Sequence, residues 1–166
     1  MKFMREEEVK LIQKKFAYNG REYIRKYIET PETVCIVAVL KNKKIILEKQ
    51  YRQIIKKTII EIPAGKLRHN ESPKNGALRE LEEETGYKAM RIKYLFSAYA
   101  SPGFSNEIMH YFLADKLKKT KTNRDFDETI KLIEVDIKDA IKLIKTGKIK
   151  NSTSIAGILY YTNFKL

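Results

Sequence analysis

The sequence has little cysteine, tryptophan, proline or glycine, and the lack of cysteine excludes disulfide and zinc-thiolate folds. Its 166 residues include no tryptophan, one cysteine, four prolines and seven glycines. A single cysteine forms neither an intramolecular disulfide nor a thiolate metal site, and Cys35 stands in the apolar run TVCIVAVL, where we expect it to be buried. No apolar run approaches the roughly 20 residues that span a membrane. The first residues, MKFMREEEVK, lack the apolar core of a signal peptide, so we expect a cytoplasmic protein without membrane attachment.

Positive charge is what the sequence has in excess. Lysine and arginine number 34 against 21 aspartate and glutamate, a net charge of +13. Such a surface attracts nucleic acid as well as small phosphorylated compounds. The lysines are spread along the chain, often in pairs such as Lys43-Lys44 and Lys56-Lys57, and form no single basic block. We therefore favour a solvated lysine-rich surface and consider a nucleic-acid partner the weaker interpretation.

The apolar pattern predicts strands and helices in one chain. Residues 3–28 indicate two strands joined by an Asn19-Gly20 turn, and residues 34–40 and 45–50 indicate a second hairpin. Further strands are predicted near 58–62, 91–100, 107–114 and 130–135, with a polar loop from 116 to 128. Two C-terminal helices are expected, the first capped by Asp136 and followed by Gly147, the second capped by Ser152 or Ser154.

The central helix has the clearest boundaries. Ser72 fits the N-cap, Pro73 the first helical position and Gly86 the position after the last turn.

One face of this helix is acidic and another is apolar. At 100° per residue, Glu80, Glu83 and Glu84 share one face, and Leu78 and Leu81 fall on another. Like charges at these spacings repel, so an offsetting cation is expected. Arg79 is spaced to pair with Glu83, and carboxylates without histidine or cysteine beside them favour Mg²⁺ or Mn²⁺. A solvated acidic face explains the spacing equally well.

The longer string GKLRHNESPKNGALRELEEETGY resembles the Nudix box. The matching positions are Gly65, Glu71, Arg79, Glu80, Leu81, Glu83, Glu84 and Gly86. Tyr87 departs from the pattern, since a smaller aliphatic residue is common there. The resemblance implies an α/β (α+β) Nudix fold, a mixed β-sheet sandwiched between helices, in residues 31–166. Residues 1–30 would form an N-terminal β-hairpin extension.

This resemblance also implies roles for the residues of the box. Glu80 and Glu84 would ligate Mg²⁺ (or Mn²⁺) with the carbonyl of Ala64, and Glu83 would share a metal. Arg79 would orient Glu83, and Glu71 would support the geometry between loop and helix. The metal would neutralise a diphosphate and lower the pKa of a bound water that attacks phosphorus.

Segments outside the box resemble the ADP-ribose pyrophosphatase branch of the family. These are EIPAGKL, SPGFSNE and DFDETIKLIEVDIKDAIKLI, and Pro102 lies sixteen residues after Gly86, as in that branch. An ordinary turn at Ser101-Pro102-Gly103 fits the same residues. Another nucleoside diphosphate derivative, such as a nucleotide sugar, FAD or a dinucleoside polyphosphate, remains an alternative substrate. A non-catalytic ADP-ribose sensor and an RNA-binding protein are the alternatives from other classes.

The branch resemblance implies further site residues. Glu128, in a loop with Asp125 and Asp127, would supply a metal ligand or the general base, although Phe126 stands where relatives often have a second glutamate. Arg52 would contact phosphate or adenine, Glu107 the terminal ribose, and Pro102 the substrate. Tyr23 and Tyr27 would stack on adenine in a homodimer formed through the N-terminal strands. Aromatic residues on such strands are more often packed in a core.

Overall fold

A computed structural model describes residues 9–122 and 129–164. The strands are β1 (Lys10–Tyr18), β2 (Arg21–Glu29), β3 (Thr33–Ala38), β4 (Lys44–Arg52), β5 (Lys57–Glu61), β6 (Ala64–Lys66), β7 (Tyr87–Tyr99), β8 (Ile108–Lys119) and β9 (Ile130–Asp136). The helices are α1 (Pro73–Thr85), α2 (Ile137–Lys145) and α3 (Ser152–Phe164). Within the described ranges no helix has the length and apolar character needed to cross a bilayer.

Two sheets form the centre of the protein. A four-stranded mixed sheet has the order β6-β3-β8-β7, with β3 parallel to β8, and a three-stranded antiparallel sheet has the order β5-β4-β9. Every residue of β3 is buried, as expected for an apolar strand with neighbours on both edges. Cys35 is fully buried there, and burial raises the pKa of its thiol.

The helices cover the two faces of this centre. Helix α1 places Ala77 and Leu81 against a cluster that includes Val34 and Phe112. Helices α2 and α3 pack on the opposite face. There Ala140 of α2 and Ile158 of α3 form a second core cluster with Val37 and Leu47. The expected mixed sheet between helices is therefore confirmed.

Residues 10–29 form a separate two-stranded sheet. Strands β1 and β2 pair along their whole length, and Asn19 and Gly20 have φ of 50° and 73°, as the Asn-Gly turn predicts. The end of β2 is tied to the rest of the chain, because Ile28 N–H donates to the Phe104 carbonyl at 2.8 Å and the Ile28 carbonyl accepts from Asn106 N–H at 3.2 Å.

The second predicted hairpin is wrong. β3 and β4 belong to different sheets, and the contact between these segments is an isolated bridge of Val39 with Ile45. β3 pairs instead with β8 and β6. A strand that is apolar on both faces is stabilised most at the centre of a covered sheet, and the short KNKK turn does not determine its partner. Strand β6 was not predicted, and β8 extends to Lys119, into the predicted polar loop.

Helix α1 has the predicted ends. The Ser72 hydroxyl accepts a hydrogen bond from Asn75 N–H at 3.3 Å, and Gly86 has a φ of 68°. The predicted cap of α3 is wrong, because Asn151, not Ser152 or Ser154, occupies that position. Its Oδ1 accepts from Ser154 N–H at 2.8 Å, a role in which asparagine equals serine.

Candidate active site on helix α1

The turn into β6 brings the backbone against two glutamates of α1. Ala64 N–H donates to Glu84 Oε2 at 3.0 Å, and Glu84 is only 4% exposed. A Cβ on Gly65 would lie 2.1 Å from Glu80 Cδ, inside any van der Waals contact. Glycine at this position therefore permits the carboxylate of Glu80 to lie directly on the strand. The sequence places Pro63 just before this turn, and proline favours the extended backbone that precedes it.

Arg79 is the centre of the cluster on α1. Its Nε and Nη2 donate to the two oxygens of Glu71 at 2.7 and 2.6 Å, a bidentate pair. Its Nη1 donates to Glu80 at 2.5 Å and to Glu83 at 3.0 Å. Nη2 also donates to the Lys66 carbonyl at 3.0 Å. The guanidinium thus fixes more than the one glutamate that its spacing suggested, and it links the helix to the preceding loop.

The charges of this cluster shift its ionisation. The hydrogen bond from Arg79 lowers the pKa of Glu71, and Arg68 N–H, which donates to Glu71 at 2.9 Å, adds to the effect. Burial disfavours the charged form of Arg79, but its bonds with Glu71, Glu80 and Glu83 outweigh burial and raise its pKa. Arg68 Nη2 also donates to Glu83 at 2.8 Å. Glu71, Glu80, Glu83 and Glu84 outnumber the two arginines, so the formal charge favours a cation.

The donor atoms fit a hard divalent cation. Glu80, Glu83, Glu84 and the Ala64 backbone offer oxygens, without histidine or cysteine, which is the chemistry of Mg²⁺ and Mn²⁺ sites. Among the residues that the structure describes, no three acidic, histidine or cysteine side chains already converge as a ligand group. Glu80 and Glu83 are bonded to Arg79, and Glu84 is bonded to Ala64 N–H.

Arg52 is held by Glu61, a partner that no sequence motif indicates. Its Nε and Nη2 donate to the two carboxylate oxygens of Glu61 at 2.8 and 3.1 Å. Glu61 is 5% exposed and ends β5 directly after Ile59 and Ile60. A glutamate that follows two isoleucines in a strand is expected to be buried and to need a cationic partner. That pattern is the sequence signal for a pair between Glu61 and an arginine or lysine.

Glu107 lies beside β6. Its Oε1 accepts from Lys66 Nζ and from Thr33 Oγ1, each at 2.5 Å. Pro102 is exposed in a turn in which the Ser101 carbonyl accepts from Phe104 N–H at 2.8 Å. The structure thus brings Glu107 toward the strand that contacts α1, and it places Pro102 at the surface.

The predicted adenine-stacking residues lie on the N-terminal hairpin. Tyr23 stacks on Phe16 at 5.9 Å between ring centroids, and the Arg25 guanidinium lies 4.8 Å from the Tyr23 ring. Tyr27, on the same strand, is partly buried. The predicted acidic loop, with Asp125, Phe126, Asp127 and Glu128, lies outside the described residues, so its roles stay predictions.

Comparison with known proteins identifies the class. The chain matches the NUDIX domain family over residues 29–156 and belongs to that family. It is 41% identical over 144 residues to the ADP-ribose pyrophosphatase of Bacillus subtilis (strain 168), which covers 86% of this chain and 78% of that protein. It is 40% identical, with the same coverage, to the methanol dehydrogenase activator of Bacillus methanolicus. A crystal structure of an ADP compounds hydrolase shares the fold, with a TM-score of 0.85 at 18% identity, covering 98% of this chain and 89% of that one.

Proposed function

We propose that this Nudix protein hydrolyses the pyrophosphate bond of ADP-ribose, giving AMP and ribose 5-phosphate, with Mg²⁺ as cofactor. The observation that carries the proposal is the intact set of box glutamates: Glu71, Glu80 and Glu83 bond Arg79, and Glu84 bonds the backbone of β6. The similarity to the Bacillus subtilis ADP-ribose pyrophosphatase supports the choice of substrate. A sensor that binds without cutting would not need every carboxylate, and none is missing here.

The proposed division of roles is the one that the resemblance to the Nudix box and its ADP-ribose pyrophosphatase branch implies. Glu80, Glu84 and the Ala64 carbonyl would hold Mg²⁺, with Glu83 sharing a metal. The bound ion supplies charge neutralisation at the diphosphate and a water of lowered pKa. Arg79 keeps Glu83 in place while bound to Glu71, Arg52 contacts phosphate or adenine, and Glu107 contacts the terminal ribose.

A substrate panel tests the proposed activity. Purified protein is incubated with Mg²⁺ and ADP-ribose, a nucleotide sugar, FAD or a dinucleoside polyphosphate, and the products are separated by chromatography. We expect AMP and ribose 5-phosphate from ADP-ribose as the fastest reaction, and none in excess chelator. If another compound is hydrolysed faster, that compound and not ADP-ribose is the substrate. If ADP-ribose binds but gives no products, the protein is a sensor and not a hydrolase.

Glu84→Gln tests the metal-binding carboxylates. We expect activity to fall by about 10²-fold or more, above the loss usual for groups that only support a metal ligand. The fold should persist, because the glutamine amide oxygen can still accept the bond from Ala64 N–H. Glu82→Gln, on the same helix but outside the box pattern, is the matched control. Unchanged turnover in Glu84→Gln, or a large fall in melting temperature, would contradict the assignment.

Amide variants of the acidic loop test the general base. If Glu128 is the base, Glu128→Gln should lower kcat by about 10²-fold. Asp125→Asn and Asp127→Asn should then stay near the wild-type rate. Single-turnover hydrolysis at saturating Mg²⁺ measures all three. Wild-type rates in all three variants would show that the general base is not in this loop, and Glu83 would then be the candidate.

A homodimer formed through residues 1–30 completes the proposal, with Tyr23 and Tyr27 contacting adenine. The support is the exposed apolar surface of the hairpin, where Leu11, Tyr18 and Ile24 are 69%, 71% and 57% exposed. Burial of one such side chain contributes roughly 1.5–3 kcal/mol. Light scattering after size exclusion should show a dimer that Ile24→Asp weakens and that Met90→Asp, equally exposed on β7, does not. A wild-type monomer would contradict the proposal.

A further inference from the structure

Arg52, Glu61 and Asn151, from three different parts of the fold, form one chain of hydrogen bonds. Arg52 ends β4, Glu61 ends β5, and Asn151 precedes α3. Glu61 Oε1 accepts from Arg52 Nε at 2.8 Å, and Glu61 Oε2 accepts from Arg52 Nη2 at 3.1 Å. Asn151 Nδ2 donates to the same Oε2 at 2.9 Å. The carboxylate therefore links an asparagine to an arginine.

The buried position of Glu61 makes this arrangement restrictive. Glu61 is a buried residue, 5% exposed, so its carboxylate needs charge and hydrogen-bond partners to offset its lost hydration. A bidentate pair is coplanar, so the plane of the Glu61 carboxylate sets the plane of the Arg52 guanidinium. Asn151 adds a bond to one oxygen, which restrains rotation of that plane.

Asn151 is itself held in one orientation. Its Oδ1 accepts from Ser154 N–H at 2.8 Å and from Ser154 Oγ at 3.1 Å. Ser154 is fully buried, and its Oγ accepts from Ile62 N–H at 3.0 Å, next to Glu61. The amide oxygen therefore points to the helix and the amide nitrogen to Glu61. An amide satisfies both contacts at once. A carboxylate has no donor for Glu61, and a serine hydroxyl, which can donate, stands one atom closer to the backbone than the amide nitrogen.

Arg52 retains surface access, since its side chain is 44% exposed. A long exposed arginine loses rotamer freedom when it binds a ligand, and prior restraint reduces that cost. We infer that Asn151 is a positioning residue that orients Arg52 toward the substrate through Glu61. The inference rests on the proposed function, specifically on the contact of Arg52 with phosphate or adenine.

Asn151→Asp and Asn151→Ser separate the two roles of the asparagine. Both retain an oxygen that caps α3. Asn151→Ser adds no charge, so its melting temperature should stay close to wild type, whereas the new carboxylate of Asn151→Asp lies against Glu61 and should lower it. Both lose the amide N–H that bonds Glu61, because aspartate has no donor and the serine hydroxyl stands one atom closer to the backbone. KM for ADP-ribose should therefore rise about tenfold, the scale of one hydrogen bond to a charged group, while kcat changes little. Asn163→Asp, the same substitution near the other end of α3, should leave KM unchanged. The serine variant shows that the effect does not require an added charge.

A double-mutant cycle with Arg52→Ala decides how Asn151 acts. If it acts through Arg52, the loss of kcat/KM caused by Asn151→Ser, which adds no charge beside Glu61, should disappear in the Arg52→Ala background. The same loss in both backgrounds would show a general structural role and overturn the inference.

The cycle also separates this inference from the proposed function. Wild-type KM in both Asn151 variants, with Arg52→Ala impaired, would overturn the positioning role alone. Wild-type kinetics in Arg52→Ala would overturn the substrate contact of Arg52 and the inference with it. No ADP-ribose hydrolysis by the wild-type protein would overturn the proposed function itself.

Discussion

Arg79 and Arg91 each form a bidentate hydrogen bond with a carboxylate, but the two pairs differ in their exposure to solvent. The Arg79 side chain is 14% exposed and bonded to Glu71, Glu80 and Glu83. The Arg91 side chain is 64% exposed and donates both bonds to Asp115. Water and salt screen the second pair much more than the first.

The two arginines also connect different parts of the fold. Arg91 and Asp115 are register partners on neighbouring strands β7 and β8, so their bond adds to a ladder that already exists. Arg79 joins α1 to Glu71 and to the Lys66 carbonyl in the preceding segment. The same contact is thus a local addition in one place and a tertiary link at a candidate active site in the other.

Removal of Arg79 should have the largest effect. Arg79→Ala leaves Glu71, Glu80 and Glu83 close together and partly buried, and loss of one partner from a buried pair costs about 3 kcal/mol. We expect that loss in urea unfolding, with turnover strongly reduced. Mg²⁺ should restore part of the stability if the glutamates bind it. If Arg79→Ala is as stable and active as wild type, the partly buried Arg79 cluster contributes no more than the exposed Arg91 pair, and the contrast between them is wrong.

Gly65→Ala should come second, because it displaces a carboxylate without removing a charge. The new Cβ would lie 2.1 Å from Glu80 Cδ, and a flexible side chain can move away at a small cost in stability. We expect activity to fall by about 10-fold or more, as when the support of a metal ligand is lost. Gly103→Ala is the control, since a Cβ there meets no atom within 4 Å. Equal activity of the two variants would contradict the proposed role of Glu80.

Lowering the pH should also distinguish the Arg79–Glu71 pair from the Arg91–Asp115 pair, by a change in unfolding free energy smaller than that caused by Arg79→Ala. Arg79 lowers the pKa of Glu71 and Arg91 lowers that of Asp115, so both pairs stabilise the fold above the unfolded carboxyl pKa of about 4. This stability is lost as pH falls through the lower folded-state pKa. The gap in unfolding free energy between wild type and Glu71→Gln should therefore narrow from pH 6 to pH 3. Asp115→Asn should show a smaller gap, and equal gaps would contradict the role of burial.

Arg91→Ala should have the smallest effect of all. The strand register remains after the side chain is removed, and the pair is exposed to solvent. Unfolding curves should shift far less than for Arg79→Ala, and ADP-ribose turnover should be unchanged. A shift comparable to that of Arg79→Ala would show that exposure does not separate the two pairs.

Much of the fold could be predicted from short stretches of sequence. The Asn19-Gly20 turn and both ends of α1 follow from the backbone preferences of those residues, which act over a few positions. The hairpin predicted for residues 34–50 failed because the choice of strand partner depends on residues far away, and β3 pairs with β8, more than 70 positions later.

The candidate site divides in the same way. The sequence by itself determined the acidic face of α1 and the glycine at position 65, because helical spacing and a fixed motif place them. Only the tertiary structure decided that Arg79 bonds several glutamates at once and that Glu61 joins Arg52 to Asn151. The Arg79 contacts arise where α1 meets Glu71 and β6, and the Glu61 contacts arise where the residue before α3 meets the ends of β4 and β5. In both places a buried charge takes the partner that packing brings within reach.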